Sequence, residues 1–122
     1  MAKKILVIDD EPDILALAAV RLERLGYEII QAVDAEEAFD ILQKITPDLI
    51  LLDLVLPKMQ GDELCKKLKS SPKFKHIPII LFTASVRRTG LPADVKTMGA
   101  DECILKPFVL NELDDKVKKF IG

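Results

Sequence analysis

One stretch, Asp48-Leu-Ile-Leu-Leu-Asp-Leu-Val-Leu-Pro57, limits what this chain can fold into more than any other. An apolar run bounded by Pro47 and Pro57 reads as a strand buried on both faces, the kind that lies inside a parallel sheet. Asp53 interrupts it near its far end. Burying an ionised carboxylate without partners costs several kcal/mol, on the order of the penalties for isolated buried charges. Asp53 is therefore expected at the strand's carboxyl end, where the chain leaves the sheet. In open α/β sheets that edge is where ligands bind.

The rest of the chain supplies the sheet. Ile5 to Ile8 form a short apolar strand that stops at Asp9, Asp10 and Glu11. Pro12 suits the first turn of a helix, where its missing N–H is harmless. Ile14, Leu15, Ala18, Leu22 and Leu25 share one face of that helix, and Gly26 closes it. A second strand is expected over Tyr27 to Ala32. Asp34 caps a helix with Ala35, Ala38, Phe39 and Leu42 inward. After the Asp48–Asp53 strand, Pro57, Lys58 and Gly61 make a loop. A helix over Asp62 to Ser70 then turns Leu64, Cys65 and Leu68 inward. Ile79 to Phe82 is the fourth strand, and Cys103 to Leu105 a brief fifth. Val86 to Gly99 forms a weaker helix, because Gly90 and Pro92 interrupt its front half. Leu110, Leu113, Val117 and Phe120 mark the stripe of a fifth helix. Five strands alternating with five helices predict a parallel sheet covered on both faces. Right-handed crossovers then bring every strand's carboxyl end to one edge.

A chain of 122 residues is one domain, and neither a repeat nor a linker divides it. The net charge of −2 gives no footing for whole-surface attraction to nucleic acid or anionic lipid. No apolar stretch reaches membrane-spanning length and no signal-peptide pattern opens the chain, so a cytoplasmic protein is expected. Cys65 and Cys103 fit no metal or redox spacing and read as reduced thiols. His76, the one histidine, lies in a loop and leaves zinc or Ser/His chemistry without support.

The strand ends name the site. The first strand delivers Asp9 and Asp10, the third Asp53, the fourth Thr83 with Ser85, the fifth Lys106. Each has a bland reading: acids that suit a helix N-terminus, a threonine capping a strand, a solvated lysine. Polar groups at four of five strand ends favour a common purpose. Three close carboxylates repel one another unless a cation neutralises them. Oxygen ligands alone suit a hard divalent ion, Mg²⁺ before Mn²⁺. Metal, Lys106 and Thr83 make a cradle for phosphoryl oxygens, and one carboxylate can serve as nucleophile to form an acyl phosphate.

Asp9-Asp10, Asp53 ahead of Pro57 to Gly61, Thr83-Ala84 and Lys106-Pro107-Phe108, in that order, resemble a response-regulator receiver domain of two-component signalling. The likeness runs over essentially the whole of residues 1–122, read as a single receiver domain with no output domain in the chain. It implies a three-layer, flavodoxin-like (βα)5 fold with strand order 2-1-3-4-5. It implies that Asp53 takes a phosphoryl group from the phosphohistidine of a sensor histidine kinase or phosphotransfer protein. Asp10, Asp53 and the Val55 carbonyl would ligate Mg²⁺, with Asp9 acting largely through water. Lys106 would pair with Asp53 and then with a phosphoryl oxygen, and Thr83 would swing onto that oxygen. The Lys106–Pro107 bond would be cis, which proline permits.

The implied function is a phosphorylation-controlled switch, not a turnover enzyme, although such a domain assists its own phosphorylation and dephosphorylation. Its partner-binding surface is the fourth helix, fifth strand and fifth helix. The downstream target is a protein; neither nucleic acid nor membrane is bound by this domain, and it is a monomer or a phosphorylation-dependent dimer. One position departs from the family pattern. Cys103 stands three before Lys106, where the family usually has Tyr or Phe, and a small thiol cannot report the switch by swinging a ring. Val55, two after Asp53, offers no side-chain help in placing a hydrolytic water, which predicts a phosphoryl group that is not especially short-lived. A haloacid-dehalogenase-type phosphatase would need Asp-x-Asp, which neither Asp9-Asp10 nor Asp53-Leu54-Val55 supplies. A flavodoxin-like cofactor module would need a phosphate loop where Glu11-Pro12 stands.

Overall fold

The computed structural model describes residues 2–53, 56, 59, 61–83, 100–105 and 110–122, with Asp62, Thr83 and Leu105 described through their backbone. The expected helix over Val86 to Gly99, together with Val55, Lys106, Pro107 and Phe108, lies outside the described residues.

Five strands form one sheet: β1 (Lys4–Ile8), β2 (Glu28–Ala32), β3 (Leu49–Asp53), β4 (Ile79–Thr83) and β5 (Glu102–Leu105). Their order is β2-β1-β3-β4-β5 and every pairing is parallel. Helices α1 (Pro12–Arg24), α2 (Ala35–Leu42), α3 (Gly61–Ser70) and a C-terminal helix (Leu110–Ile121) accompany it. Alternation along the strands decides which helix covers which face. Ile5, Val7, Leu49, Leu51, Ile80, Phe82 and Ile104 pack with α1 and the C-terminal helix. Leu6, Ile8, Ile50, Leu52, Ile79 and Leu81 pack with α2 and α3. All five residues of β3 are buried, as an apolar strand covered from both sides requires. The architecture is a three-layer α/β sandwich of the flavodoxin-like kind.

Local chemistry sets the helix ends. Pro12 opens α1, and Gly26, at φ 99°, closes it as Gly26 N–H donates to the Glu23 carbonyl and Tyr27 N–H to that of Leu22. At α2 the Asp34 carboxylate accepts from Glu37 N–H at 2.8 Å, while the Glu37 carboxylate accepts from Val33 N–H at 2.9 Å. This reciprocal pair resembles a capping box.

Some expected positions shift. Leu25 is not part of the inner face of α1; it sits past the last turn and is 37% exposed. Gly61 opens α3 rather than ending a loop. On the C-terminal helix the buried set is Leu113, Asp114, Val117 and Ile121, while Phe120 is half-buried against the same cluster. Spacing of four carries the inner face from Leu113 through Val117 to Ile121.

A buried acid on that face has a tertiary cause. Arg21 of α1 forks Asp114, with Nε 3.1 Å from both carboxylate oxygens and a terminal nitrogen at 2.6 Å from Oδ2. The bidentate geometry satisfies both oxygens and ties α1 to the C-terminal helix. A second tie lies at the amino edge of the sheet. Lys69 donates to the Ile77 carbonyl at 2.8 Å and to Asp101 at 2.9 Å, and the same Asp101 oxygen accepts from Ile79 N–H.

Candidate functional site

Three acids meet at the carboxyl edge of the sheet. β1 ends at Ile8, and Asp9 follows with its N–H donating to the Ala32 carbonyl at 3.0 Å, which anchors the β1 exit to the end of β2. The Asp9 side chain is fully buried, and its Oδ1 accepts from Glu11 N–H at 2.9 Å. That bond fixes the carboxylate while the chain turns into α1. Asp10, one residue on, is exposed. Asp53 is the last residue of β3, in register with Phe82 of β4, and is only 4% exposed.

These three residues converge. Asp9, Asp10 and Asp53 each present a carboxylate oxygen, and the three oxygens lie within 4.8 Å of one another. Among the described residues every buried side-chain nitrogen or oxygen has a hydrogen-bond partner, so the buried acids are not orphaned. Two nearly inaccessible carboxylates beside a third concentrate negative charge that the surrounding apolar sheet screens poorly. A hard cation is the natural counter-charge. Two oxygens on opposite sides of one octahedral Mg²⁺ stand roughly 4 Å apart, so a spread of 4.8 Å fits a hydrated ion held partly through water. The donor set is oxygen throughout, which disfavours zinc or copper.

Thr83 ends β4, paired with Leu105 at the end of β5. Lys106 itself and Val55 lie outside the described residues. Cys103, in β5, packs partly buried against the α2–α3 side of the core. Burial pushes its thiol above the ordinary range, and the neighbouring Glu102 adds to the shift. A thiol so placed is a poor nucleophile, which suits a filler of space better than a redox sensor. Glu102 shows the opposite tendency. Partial burial pushes its carboxyl up, but the hydrogen bond from Lys119 at 3.2 Å and the charge of Lys116 at 3.5 Å outweigh it and hold it below the usual range.

Sequence reasoning missed two features near this edge. One is the position of Glu11, whose backbone N–H fixes Asp9; a side-chain reading has no means of finding it. The other is a pocket lined by Asp34, Ala35, Glu36, Phe39 and Met59. Its apolar walls come from segments about twenty residues apart, so neither segment alone signals it.

A parallel five-stranded sheet in the order 2-1-3-4-5, with acids meeting at its carboxyl edge, defines the flavodoxin-like class of α/β domains. Within that class the chain belongs to the response regulator receiver domains, whose family description matches residues 5–118. It is 41% identical over 98% of its length to the probable transcriptional regulator ycf27 of Porphyridium aerugineum. It is 40% identical over 99% of its length to the alkaline phosphatase synthesis transcriptional regulatory protein PhoP of Bacillus subtilis. The alignments cover 48% and 49% of those relatives, so the chain spans about half their length. Among solved structures, the response regulator protein TrrA of Thermotoga maritima, determined in complex with Mg²⁺–BeF, superposes with a TM-score of 0.83. Its sequence identity is 38%, over 97% of this chain and 98% of TrrA. Receiver domains are signalling domains, and this one carries their acidic cluster. Among the described residues no helix is long and apolar enough to cross a membrane.

Proposed function

We propose that this receiver domain is a switch thrown by phosphorylation of Asp53. The observation that carries the reading is the meeting of Asp9, Asp10 and Asp53 within 4.8 Å at the carboxyl edge. A carboxylate oxygen of Asp53 attacks phosphorus of a phosphohistidine on a sensor kinase or phosphotransfer protein. The O–P bond forms as the P–N bond breaks, and the electron pair of that bond stays on the departing imidazole. The product is an acyl phosphate on Asp53. Mg²⁺, when bound, neutralises part of the charge shared by the phosphoryl oxygens and the acids.

Asp10, Asp53 and the Val55 carbonyl would hold the ion, with Asp9 helping largely through water. The Glu11 N–H keeps Asp9 oriented for that task. Asp53 ends a strand closed on both faces and is itself only 4% exposed.

Lys106 pairs with Asp53 before the reaction and with a phosphoryl oxygen after it, and the Thr83 hydroxyl moves onto the same oxygen. Their displacement biases the surface that includes β5 and the C-terminal helix, where Glu102 is held by Lys116 and Lys119. Cys103 fills the place of an aromatic ring, so the signal passes without a ring swing. Relatives of about twice the length are transcriptional regulators, and we infer that the output here is gene control, exerted through a partner protein or through further residues of a longer polypeptide in the cytoplasm.

The test is incubation with acetyl phosphate and Mg²⁺ followed by intact-mass measurement. The mass of one phosphoryl group should be gained, and both Asp53→Asn and chelation of the metal should abolish the gain. Uptake that survives Asp53→Asn would remove Asp53 as the acceptor.

A further inference from the structure

We propose that the Phe39–Met59 pocket is the docking point of the protein phosphodonor, receiving an apolar side chain that carries a Lys or Arg beside it. This rests on the reading of Asp53 as phosphoacceptor and names how its donor is recognised. The pocket has a volume of about 280 Å³. That is below the roughly 300–1,000 Å³ of most small-molecule sites, and suits one or two side chains of a protein. Phe39 and Met59 provide adaptable apolar walls, and thioether and ring together accept a range of aliphatic shapes.

Charge narrows the occupant. Asp34 and Glu36 rim the pocket, and Glu37 and Asp40 follow on the same helix, while α2 contains no basic residue. An apolar floor under an acidic rim complements an apolar anchor next to a cation, and it repels an acidic surface. Phe39 adds a ring face over which a guanidinium or ammonium is attracted.

Position narrows it further. Asp34 stands two residues beyond Ala32, whose carbonyl accepts the Asp9 N–H, and Met59 stands six residues beyond Asp53 on the exit from β3. The Asp34 end of the pocket is therefore two residues from the backbone bond that holds Asp9. A body that presents phosphohistidine to Asp53 comes within reach of this pocket; acetyl phosphate does not need it.

The experiment compares two donors on one set of variants. Glu36→Lys reverses an exposed rim charge without touching the core, and Phe39→Ala removes a wall. The donors are acetyl phosphate and the autophosphorylated histidine kinase that, from a kinase panel, labels the unaltered chain fastest. Glu36→Lys should slow labelling by the kinase about tenfold, the scale on which rim charges alter encounter, and leave the acetyl phosphate rate within about twofold. Phe39→Ala should follow the same pattern if its circular dichroism matches the unaltered chain. Equal kinase rates in Glu36→Lys and the unaltered chain would overturn the proposal, as would parallel losses with both donors. It also fails if no kinase of the panel outpaces acetyl phosphate. Failure of the unaltered chain to accept phosphoryl from either donor is a different result, and it strikes the phosphoacceptor reading instead.

Discussion

Gathering three acids has a cost that can be measured without any phosphoryl chemistry. Consider Asp10→Asn, which removes one charge and keeps the side chain's shape. Asp10 is exposed, so the substitution leaves the core intact. Its carboxylate lies within 4.8 Å of those of Asp9 and Asp53. Even with the dielectric of water, two like charges at that separation repel by about 1 kcal/mol, and by roughly 3 to 4 kcal/mol at an effective dielectric of 20. Since Asp10 faces solvent, the lower figure applies, and salt near physiological strength reduces it further. Two such pairs sum to roughly 1–2 kcal/mol of relief, a rise of several degrees in Tm for a domain of this size. Mg²⁺ acts in the opposite sense. It stabilises the unaltered chain by mass action, about 2.7 kcal/mol at a hundred times Kd, and stabilises Asp10→Asn less. Urea melts with chelator and with Mg²⁺ provide all four numbers. Charge repulsion at the notch is refuted if Asp10→Asn is no more stable than the unaltered chain without metal and Mg²⁺ raises both equally.

Three further outcomes are expected. Because the Glu102 carboxyl lies below its ordinary value of 4.5 in the folded chain, its ion pairs stabilise fully above that pH and fade as pH falls through the lowered value. Glu102→Gln should therefore lower the urea midpoint at pH 7 more than at pH 3.5, and equal losses at both would contradict the pairing. Cys103, with a thiol raised by burial and by Glu102, should react with iodoacetamide at pH 7.5 more slowly than a free thiol; rapid labelling by mass spectrometry would reverse that assignment. Finally, loss of label from the phosphorylated chain should quicken in Val55→Asn, since an amide there can position the hydrolytic water. Unchanged decay would show that Val55 does not set the lifetime.

Much of the fold was legible from the strands. Ile5 to Ile8, Leu49 to Leu52 and Ile79 to Phe82 are apolar on successive residues because both faces of the sheet are covered; a strand with one wet face would alternate instead. Asp9, Asp10 and Asp53 were legible for the complementary reason: acids at the ends of such strands need polar partners, and parallel strands share one carboxyl edge; that Asp9 and Asp53 are themselves buried there was not legible. The helix interiors followed from period, down to Leu64, Cys65 and Leu68 of α3.

Tertiary structure decided what no local pattern encodes. Asp114 is buried on the C-terminal helix only because Arg21, ninety-three residues earlier, forks it; read locally it is one more surface acid. Leu25 looks like an inner-face leucine, yet the helix stops at Arg24 and leaves it outside. The distance between the acids, the Glu11 N–H that orients Asp9 and the pocket between α2 and the exit of β3 likewise depend on how separate segments meet. Sequence carries periodicity and the identity of strand-end groups, which are local quantities. Whether a polar group may be buried is settled by partners that only the folded chain brings within reach.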